Sequence, residues 1–255
     1  QWTYFMPDIA YHLNKYERGF SKMVNIFGAD HSGYIARMKA AVKAITNDKA
    51  NLEIKTCQLV RLSRAGKPVK MSKRAGSFIT LNELIDEVGK DAVRFMMVSR
   101  KNDAQLDFDF EIFKNENNDN PIFYIQYANA RINSLIRNSK DKLGIKIKEK
   151  DLIKSDLNLL KNINERKIIF QIANFPKIIE QSAIFMEPHR LSYYLRDLAS
   201  VFHQYWNLKV NNKRIQILDK KEIDLSIARV ALLFSVSITI QIGLSLLGIK
   251  AIEEL

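Results

Sequence analysis

Cysteine, glycine and proline are all scarce in this sequence. Its 255 residues include one cysteine, Cys57, which excludes an internal disulfide and predicts a reducing compartment such as the cytosol. Nine glycines and five prolines are too few for a collagen-like or linker-like chain. Because 47% of the residues are hydrophobic, the chain can form a core, and its length predicts one or two domains.

Acidic residues are also in deficit. Forty Lys and Arg residues stand against 28 Asp and Glu residues, which leaves a net charge of +12 at pH 7. Such an excess predicts a polyanionic partner, with nucleic acid first and an anionic membrane surface second. One cysteine and four scattered histidines form no cluster with metal-ligand spacing, so no tightly bound metal is predicted.

One long run without charge raises a separate alternative. Residues 230–249 contain no charged side chain, and a run of that length can span the hydrocarbon of a bilayer. Five polar side chains interrupt it, namely Ser235, Ser237, Thr239, Gln241 and Ser245. This pattern favours a helix surrounded by other helices in a bundle, and a membrane-spanning helix is the alternative.

The spacing of apolar residues changes near residue 118. Residues 23–28 and 52–62 are typical of strands, and residues 33–45 between them have helical spacing, which together predict a βαβ unit. Thr80 and Glu83 have the spacing of a capping box, and Pro121 suits the first position of a helix. We predict an α/β region over residues 1–117 and an all-helical bundle over residues 118–255.

The segment from Lys70 to Arg74 carries the most chemical information. It reads Lys-Met-Ser-Lys-Arg, and no acidic residue occurs between Arg61 and Arg74. Two ammonium groups three positions apart can stabilise the charge that develops on phosphate oxygens when a phosphoanhydride breaks. The alternative is a basic turn in solvent.

This segment resembles the Lys-Met-Ser-Lys-Ser loop of class I aminoacyl-tRNA synthetases, with Arg74 in the last position. The longer string over residues 69–81 is similar to arginyl-tRNA synthetases in particular. Other stretches resemble that family in the same order and spacing, at residues 3–12, 28–34, 126–131 and 243–249. The resemblance implies the second half of a nucleotide-binding, Rossmann-like catalytic domain, followed by a helical anticodon-binding domain.

The resemblance also implies how the substrates are bound. Tyr4 and Asp8 would hold arginine, since a carboxylate can bind a guanidinium group through two hydrogen bonds. Many members of the family have glutamine at the position of Ser32, so no role is implied for Ser32. Lys70 and Lys73 would be the catalytic groups that steady the pyrophosphate. ATP would enter with Mg²⁺ on its phosphates, and its contacts would be Asp30, His31, Lys70, Met71, Ser72, Lys73 and Arg74.

The helical half would bind tRNA through residues near its start. Tyr127, Ala128 and Arg131 would begin the anticodon-reading surface, and Trp206 is interpreted in the same way. A tyrosine can stack on an unpaired base, and an arginine can bind phosphate or a base edge. The alternative for each is ordinary packing in the bundle.

One signature of class I synthetases is missing from the sequence. These enzymes carry a His-Ile-Gly-His motif, and none of the four histidines here belongs to one. We therefore expect part of an arginine–tRNA ligase that is inactive alone. The full-length enzyme would be a cytoplasmic monomer acting on arginine, ATP and the tRNA for arginine. A non-catalytic tRNA-binding fragment is the alternative function.

Overall fold

The computed structural model describes residues 3–69, 79–115, 117, 119–210 and 213–254. Contacts divide the chain into two compact units, one of Gln1–Leu62 with Arg100–Phe108 and one of Ser63–Ser99 with Asp109–Leu255. The second unit thus includes residues from both predicted regions. The boundary expected after residue 117 stays a prediction.

The first unit is built around a pair of parallel strands. Its elements are α1 (Phe5–Glu17), β1 (Lys22–Gly28), a 3₁₀ turn (Ala29–Tyr34), α2 (Ile35–Ile45) and β2 (Asn51–Cys57). Strands β1 and β2 pair in parallel from Lys22 opposite Asn51 to Gly28 opposite Cys57, with α2 as the crossover, which confirms the βαβ unit. Met23, Met38, Val42 and Leu52 form its buried core.

The segment after β2 forms a second small sheet. Strands β3 (Val60–Arg64), β4 (Lys67–Pro68) and β5 (Leu106–Asp109) lie in the order β4-β3-β5. The prediction of one extended segment over residues 52–62 was therefore wrong in detail, because that segment belongs to two sheets. The break falls at Gln58, whose backbone N–H donates to the carbonyl of Asn102 at 2.9 Å instead of continuing β2.

Helices make up most of the second unit. The capping box at Thr80 and the first-position Pro121 are confirmed, since Thr80 opens α3 and Asn120 caps the helix that Pro121 begins. The prediction that residues 118–255 are all helical needs one correction, because two two-residue strands pair there, too short for sequence alternation to signal. The elements are α3 (Leu81–Val88), α4 (Lys90–Val98), α5 (Phe110–Lys114), α6 (Pro121–Arg137), α7 (Ser139–Leu143), α8 (Glu149–Ile153), α9 (Ile163–Phe185), α10 (His189–Trp206), β6 (Lys209–Val210), β7 (Lys213–Arg214) and α11 (Ile223–Leu246).

Helix α11 is the most apolar helix of the bundle. In the part of the chain that the structure describes, it alone is long and apolar enough to cross a membrane by length and composition. However, it packs against α6, α8, α9 and α10, and 61% of its apolar window is buried. This burial is typical of the core helix of a bundle.

The segment that follows α11 lies along α6 and is held there by two amide side chains, an arrangement we call the tail clip. The Gln126 amide donates to the carbonyl of Lys250 at 2.8 Å and accepts from the N–H of Ile252 at 2.9 Å. The Asn129 amide donates to the carbonyl of Ile252 at 2.8 Å and accepts from the Ser237 hydroxyl at 2.6 Å. Gln126 and Asn129 are both buried, so the clip satisfies polar groups that water does not reach.

Candidate functional site

Five side chains from two helices form a half-exposed aromatic surface, which we call the α6–α10 stack. Phe123, Tyr127 and Arg131 lie four residues apart on α6, and therefore on one face of that helix. His203 and Trp206 come from the last turn of α10. Three of the four residues predicted to bind tRNA, Tyr127, Arg131 and Trp206, thus lie together.

The guanidinium group of Arg131 lies between two rings of the stack. Its Cζ is 4.2 Å from the ring centre of Tyr127 and 5.3 Å from that of Trp206. Each contact is in the range of a cation–π interaction. Phe123, Tyr127, Arg131 and Trp206 are each partly exposed to solvent. The surface therefore offers ring faces and a positive charge together.

His203 forms the buried base of the stack. Its ring is stacked on that of Tyr127, with ring centres 5.6 Å apart, and its Nε2 donates to the carbonyl of Tyr124 at 3.1 Å. Burial lowers the pKa of His203; the hydrogen bond to Tyr124 opposes this shift, and the charge of Arg131 adds to it. The ring is consequently neutral at pH 7, so Arg131 carries the positive charge of the stack.

Two residues of the stack, Phe123 and His203, were not among the candidates from the sequence. Their signal was weak, namely an aromatic residue four positions before Tyr127 and a histidine three positions before Trp206. Ala128 differs from the expectation, because it is fully buried and faces the core of the bundle. The surface on α6 is therefore formed by positions 123, 127 and 131.

The residues predicted to hold arginine lie at the start of α1. Tyr4 is the N-cap residue and is 93% exposed, and Asp8, one turn later, is also exposed. Behind them, His12 is buried: its Nδ1 donates to the carbonyl of Asp8 at 2.6 Å, and its Nε2 accepts from the Asn25 amide at 2.8 Å. His12 therefore ties the first turns of α1 to β1, a role that the sequence alone did not suggest.

The residues predicted to lie beside the adenylate follow the carboxyl end of β1. Asp30 and His31 lie in the 3₁₀ turn, both exposed, with the His31 Nε2 at 3.5 Å from an Asp30 carboxylate oxygen. A Cβ at Gly28 would collide with the Asp30 carboxylate, so glycine leaves room for that side chain. Ligands of parallel α/β sheets bind beyond the carboxyl ends of the strands, which agrees with this location.

The predicted catalytic and ATP-binding residues Lys70, Met71, Ser72, Lys73 and Arg74 lie outside the described residues. The hairpin that precedes them is formed by β3 and β4. Ala65 and Gly66 both have positive φ, 49° and 73°, as the two-residue turn between β3 and β4 requires. The Asp109 carboxylate accepts the N–H groups of Ala65 at 3.1 Å and Gly66 at 2.7 Å, so it fixes the turn.

An ion-pair cluster joins this hairpin to the helix on the other side of that segment. Arg64, at the end of β3, donates two hydrogen bonds to the carboxylate of Glu87 in α3, and Lys114 lies 2.6 Å from the same carboxylate. These two cations lower the pKa of Glu87 to about 2. The β3–β4 hairpin, before position 70, and α3, after position 78, are thereby joined. Within the described residues, no group of three His, Cys, Asp or Glu side chains could hold a metal ion.

Comparisons with known proteins identify a family and relatives for this chain. Residues 125–255 match the DALR anticodon binding domain family. The chain is 48% identical over 254 residues to an arginine–tRNA ligase of Parvibaculum lavamentivorans and 47% identical over 254 residues to one of Bartonella henselae. Each match covers 100% of this chain, but 44% and 43% of the relative. The chain thus spans less than half the length of these curated relatives.

Solved structures show the same fold. A structure from Campylobacter jejuni, assigned to arginyl-tRNA synthetase, is 33% identical with a TM-score of 0.86, covering 100% of this chain and 53% of that one. The Thermus thermophilus arginyl-tRNA synthetase is 23% identical with a TM-score of 0.75, covering 92% of this chain and 41% of that one, a likeness of fold.

Proposed function

Because the chain belongs to the DALR anticodon-binding domain family, we propose that it binds the anticodon arm of an arginine tRNA as part of an arginine–tRNA ligase. The observation that carries this proposal is the α6–α10 stack. Unpaired bases can stack on Tyr127 or Trp206, and Arg131 between them can bind phosphate or a base edge. The net charge of +12 supports association with RNA in general.

In the proposed ligase, residues 1–117 supply the second half of a Rossmann-like catalytic domain. Arginine binds to Tyr4 and Asp8, which are open to solvent at the start of α1. The residues for ATP, with Mg²⁺ on its phosphates, are Asp30 and His31 with the segment from Lys70 to Arg74. Lys70 and Lys73 act electrostatically on the pyrophosphate as arginyl-adenylate forms. Activated arginine is then transferred to the tRNA.

The location and assembly state belong to the same proposal. A cytoplasmic enzyme that acts as a monomer at full length agrees with one exposed cysteine and with the burial of α11 in the bundle. The alternative function is that of a non-catalytic tRNA-binding fragment, because these 255 residues contain no His-Ile-Gly-His motif.

The test measures the affinities of the unmodified chain and of two variants for two tRNAs. We expect the chain to bind arginine tRNA more tightly than the same tRNA with altered anticodon bases. Tyr127→Ala should weaken the matched tRNA by roughly 1–3 kcal/mol and the altered one less, because one stacked base is lost. Affinities are measured by titration at a fixed salt concentration, since phosphate contacts depend on salt.

Tyr193→Ala is the matched control, because Tyr193 is a partly exposed tyrosine of α10 outside the stack. It should leave the preference for the matched tRNA unchanged. Equal affinity of the unmodified chain for both tRNAs would contradict anticodon recognition and leave only association driven by charge.

A further inference from the structure

A buried acidic group joins three helices beneath the end of α10. Glu165, in the first turn of α9, is 1% exposed. Its Oε1 accepts from the Tyr205 hydroxyl of α10 at 2.9 Å and from Nε of Arg229 of α11 at 3.0 Å. Its Oε2 accepts from the N–H of Asn162 at 3.0 Å and so caps α9. We call Glu165, Tyr205 and Arg229 the Glu165 cluster.

Tyr205 and Arg229 both donate hydrogen bonds to Glu165. Tyr205 is fully buried, and burial raises the pKa of its hydroxyl, which therefore stays protonated and donates. Arg229 also donates through Nη1 to the carbonyl of Gln216 at 2.9 Å, in the segment between β7 and α11. Removing one partner from a buried ion pair leaves the other charge buried and unpaired, which is strongly destabilising. The three side chains of the cluster are therefore held in place relative to one another.

One member of the Glu165 cluster, Tyr205, is adjacent in sequence to the α6–α10 stack. Tyr205 directly precedes Trp206, which is the last residue of α10 and contacts Arg131. The last turn of a helix has carbonyls without partners in the helix and frays readily. Trp206 also packs against Phe202, with ring centres 5.6 Å apart, so its orientation depends on how the last turn of α10 is held.

We propose that the Glu165 cluster is a positioning device that holds the end of α10 so that Trp206 stays against Arg131. Glu165, Tyr205 and Arg229 are then positioning residues for anticodon recognition, an inference that rests on the proposed function. Their side chains do not touch RNA. They act by keeping the ring of Trp206 and the charge of Arg131 together before the tRNA arrives, which reduces the ordering cost of binding.

The chain offers a matched control for this inference. Tyr194 is a second buried tyrosine on α10, about three turns before Tyr205. Its hydroxyl donates to the carbonyl of Gln171 in α9 at 2.9 Å. Tyr194→Phe and Tyr205→Phe therefore each remove one buried hydroxyl that joins α10 to α9, but only the second lies beside Trp206.

The first measurement needs no tRNA. The sequence has two tryptophans, so a Trp2→Phe background leaves Trp206 as the only source of tryptophan fluorescence. Tyr205→Phe and Glu165→Gln should shift the Trp206 emission to longer wavelength and increase its quenching by acrylamide, and Tyr194→Phe should do neither. Glu165→Gln keeps a side chain that can cap α9. Far-UV circular dichroism confirms that each variant is folded at the temperature used.

The second measurement is affinity for matched and altered arginine tRNA. Tyr205→Phe should lose roughly fivefold to tenfold for the matched tRNA, the equivalent of one hydrogen bond, and less for the altered one. Identical Trp206 fluorescence in Tyr205→Phe and Tyr194→Phe would overturn the positioning role. A Trp206 shift without any change in tRNA preference would support the positioning of Trp206 and overturn the proposed anticodon surface instead.

Discussion

At the scale of single residues, Glu87 shows how one carboxylate can bind two cations from different elements. Arg64 and Lys114 share its oxygens, and its pKa is lowered to about 2. The ion pair of Arg64 with Glu87 joins the β3–β4 hairpin to α3. Arg64 also lies over the ring of Phe110, 4.6 Å from its centre, so its guanidinium group is held from a second side.

The lowered pKa predicts a dependence of stability on pH. A carboxylate with a lowered pKa in the folded state stabilises that state above its unfolded value, near 4.3. This contribution should be lost as the pH falls from about 4.3 towards 2. Denaturant unfolding of the unmodified chain and of Glu87→Gln should show a difference at pH 6 that shrinks at pH 3. A difference that is constant over this range would contradict the assigned ion pairs, and Asp86→Asn, at an exposed neighbouring position, is the control.

Some residue-level features could be predicted from the sequence and others could not. The capping box of Thr80 and Glu83 is local, so three-residue spacing was enough to find it. The Arg64–Glu87 pair joins residues 23 positions apart, and no local spacing indicates such a contact. His203 and Glu165 were missed for the same reason, because their environments depend on helices distant in the sequence.

At the scale of elements, the residues of the motif at 126–131 lie on two faces of α6, one buried and one partly exposed. The resemblance predicted a tRNA surface, which stays a prediction, and Tyr127 and Arg131 lie on the partly exposed face of the helix. Gln126 and Asn129 instead face inwards and form the tail clip. Sequence spacing predicted the helix but could not assign these amides, because their partners are backbone groups of a distant segment.

The tail clip can be tested by removing one amide. Gln126→Ala leaves the carbonyl of Lys250 and the N–H of Ile252 without their partner, which should lower the free energy of unfolding by roughly 2 kcal/mol. Gln204→Ala, on the exposed face of α10, should change it far less. Thermal and urea unfolding measure both variants. Equal stability of Gln126→Ala and the unmodified chain would show that the clip is not formed in solution.

At the scale of the whole molecule, the sequence predicted the two classes of structure, and the domain boundary expected after residue 117 stays a prediction. Parallel β1 and β2 and the helical bundle both agree with the expectation of α/β plus all-α. The compact units, however, group Ser63–Ser99 with the bundle. The change in apolar spacing near residue 118 reports local structure. The grouping into units depends instead on contacts such as the hydrogen bond that the Ser192 hydroxyl of α10 donates to the carbonyl of Val98 at 3.0 Å.

The absent His-Ile-Gly-His motif leads to a prediction about activity. We expect the pure chain of 255 residues to catalyse no arginine-dependent exchange of pyrophosphate with ATP, because one of the two signatures of class I synthetases is not in its sequence. The assay uses a full-length arginine–tRNA ligase as a positive control. Exchange above background that requires arginine would refute the prediction, and binding of tRNA by the same preparation would show that the chain is folded.

The tail clip also has a consequence for how the chain is made. Gln126 finds its partner 124 residues later in the sequence, and the ribosome adds residues from the amino end. At about 5–20 residues per second, α6 waits roughly 6–25 seconds between its own synthesis and that of residue 250. Throughout this interval the Gln126 amide lacks the backbone groups that it pairs with in the folded chain. The tail clip therefore forms only after residue 252 has been made, later than the contacts of α6 with α4 and α10 can form.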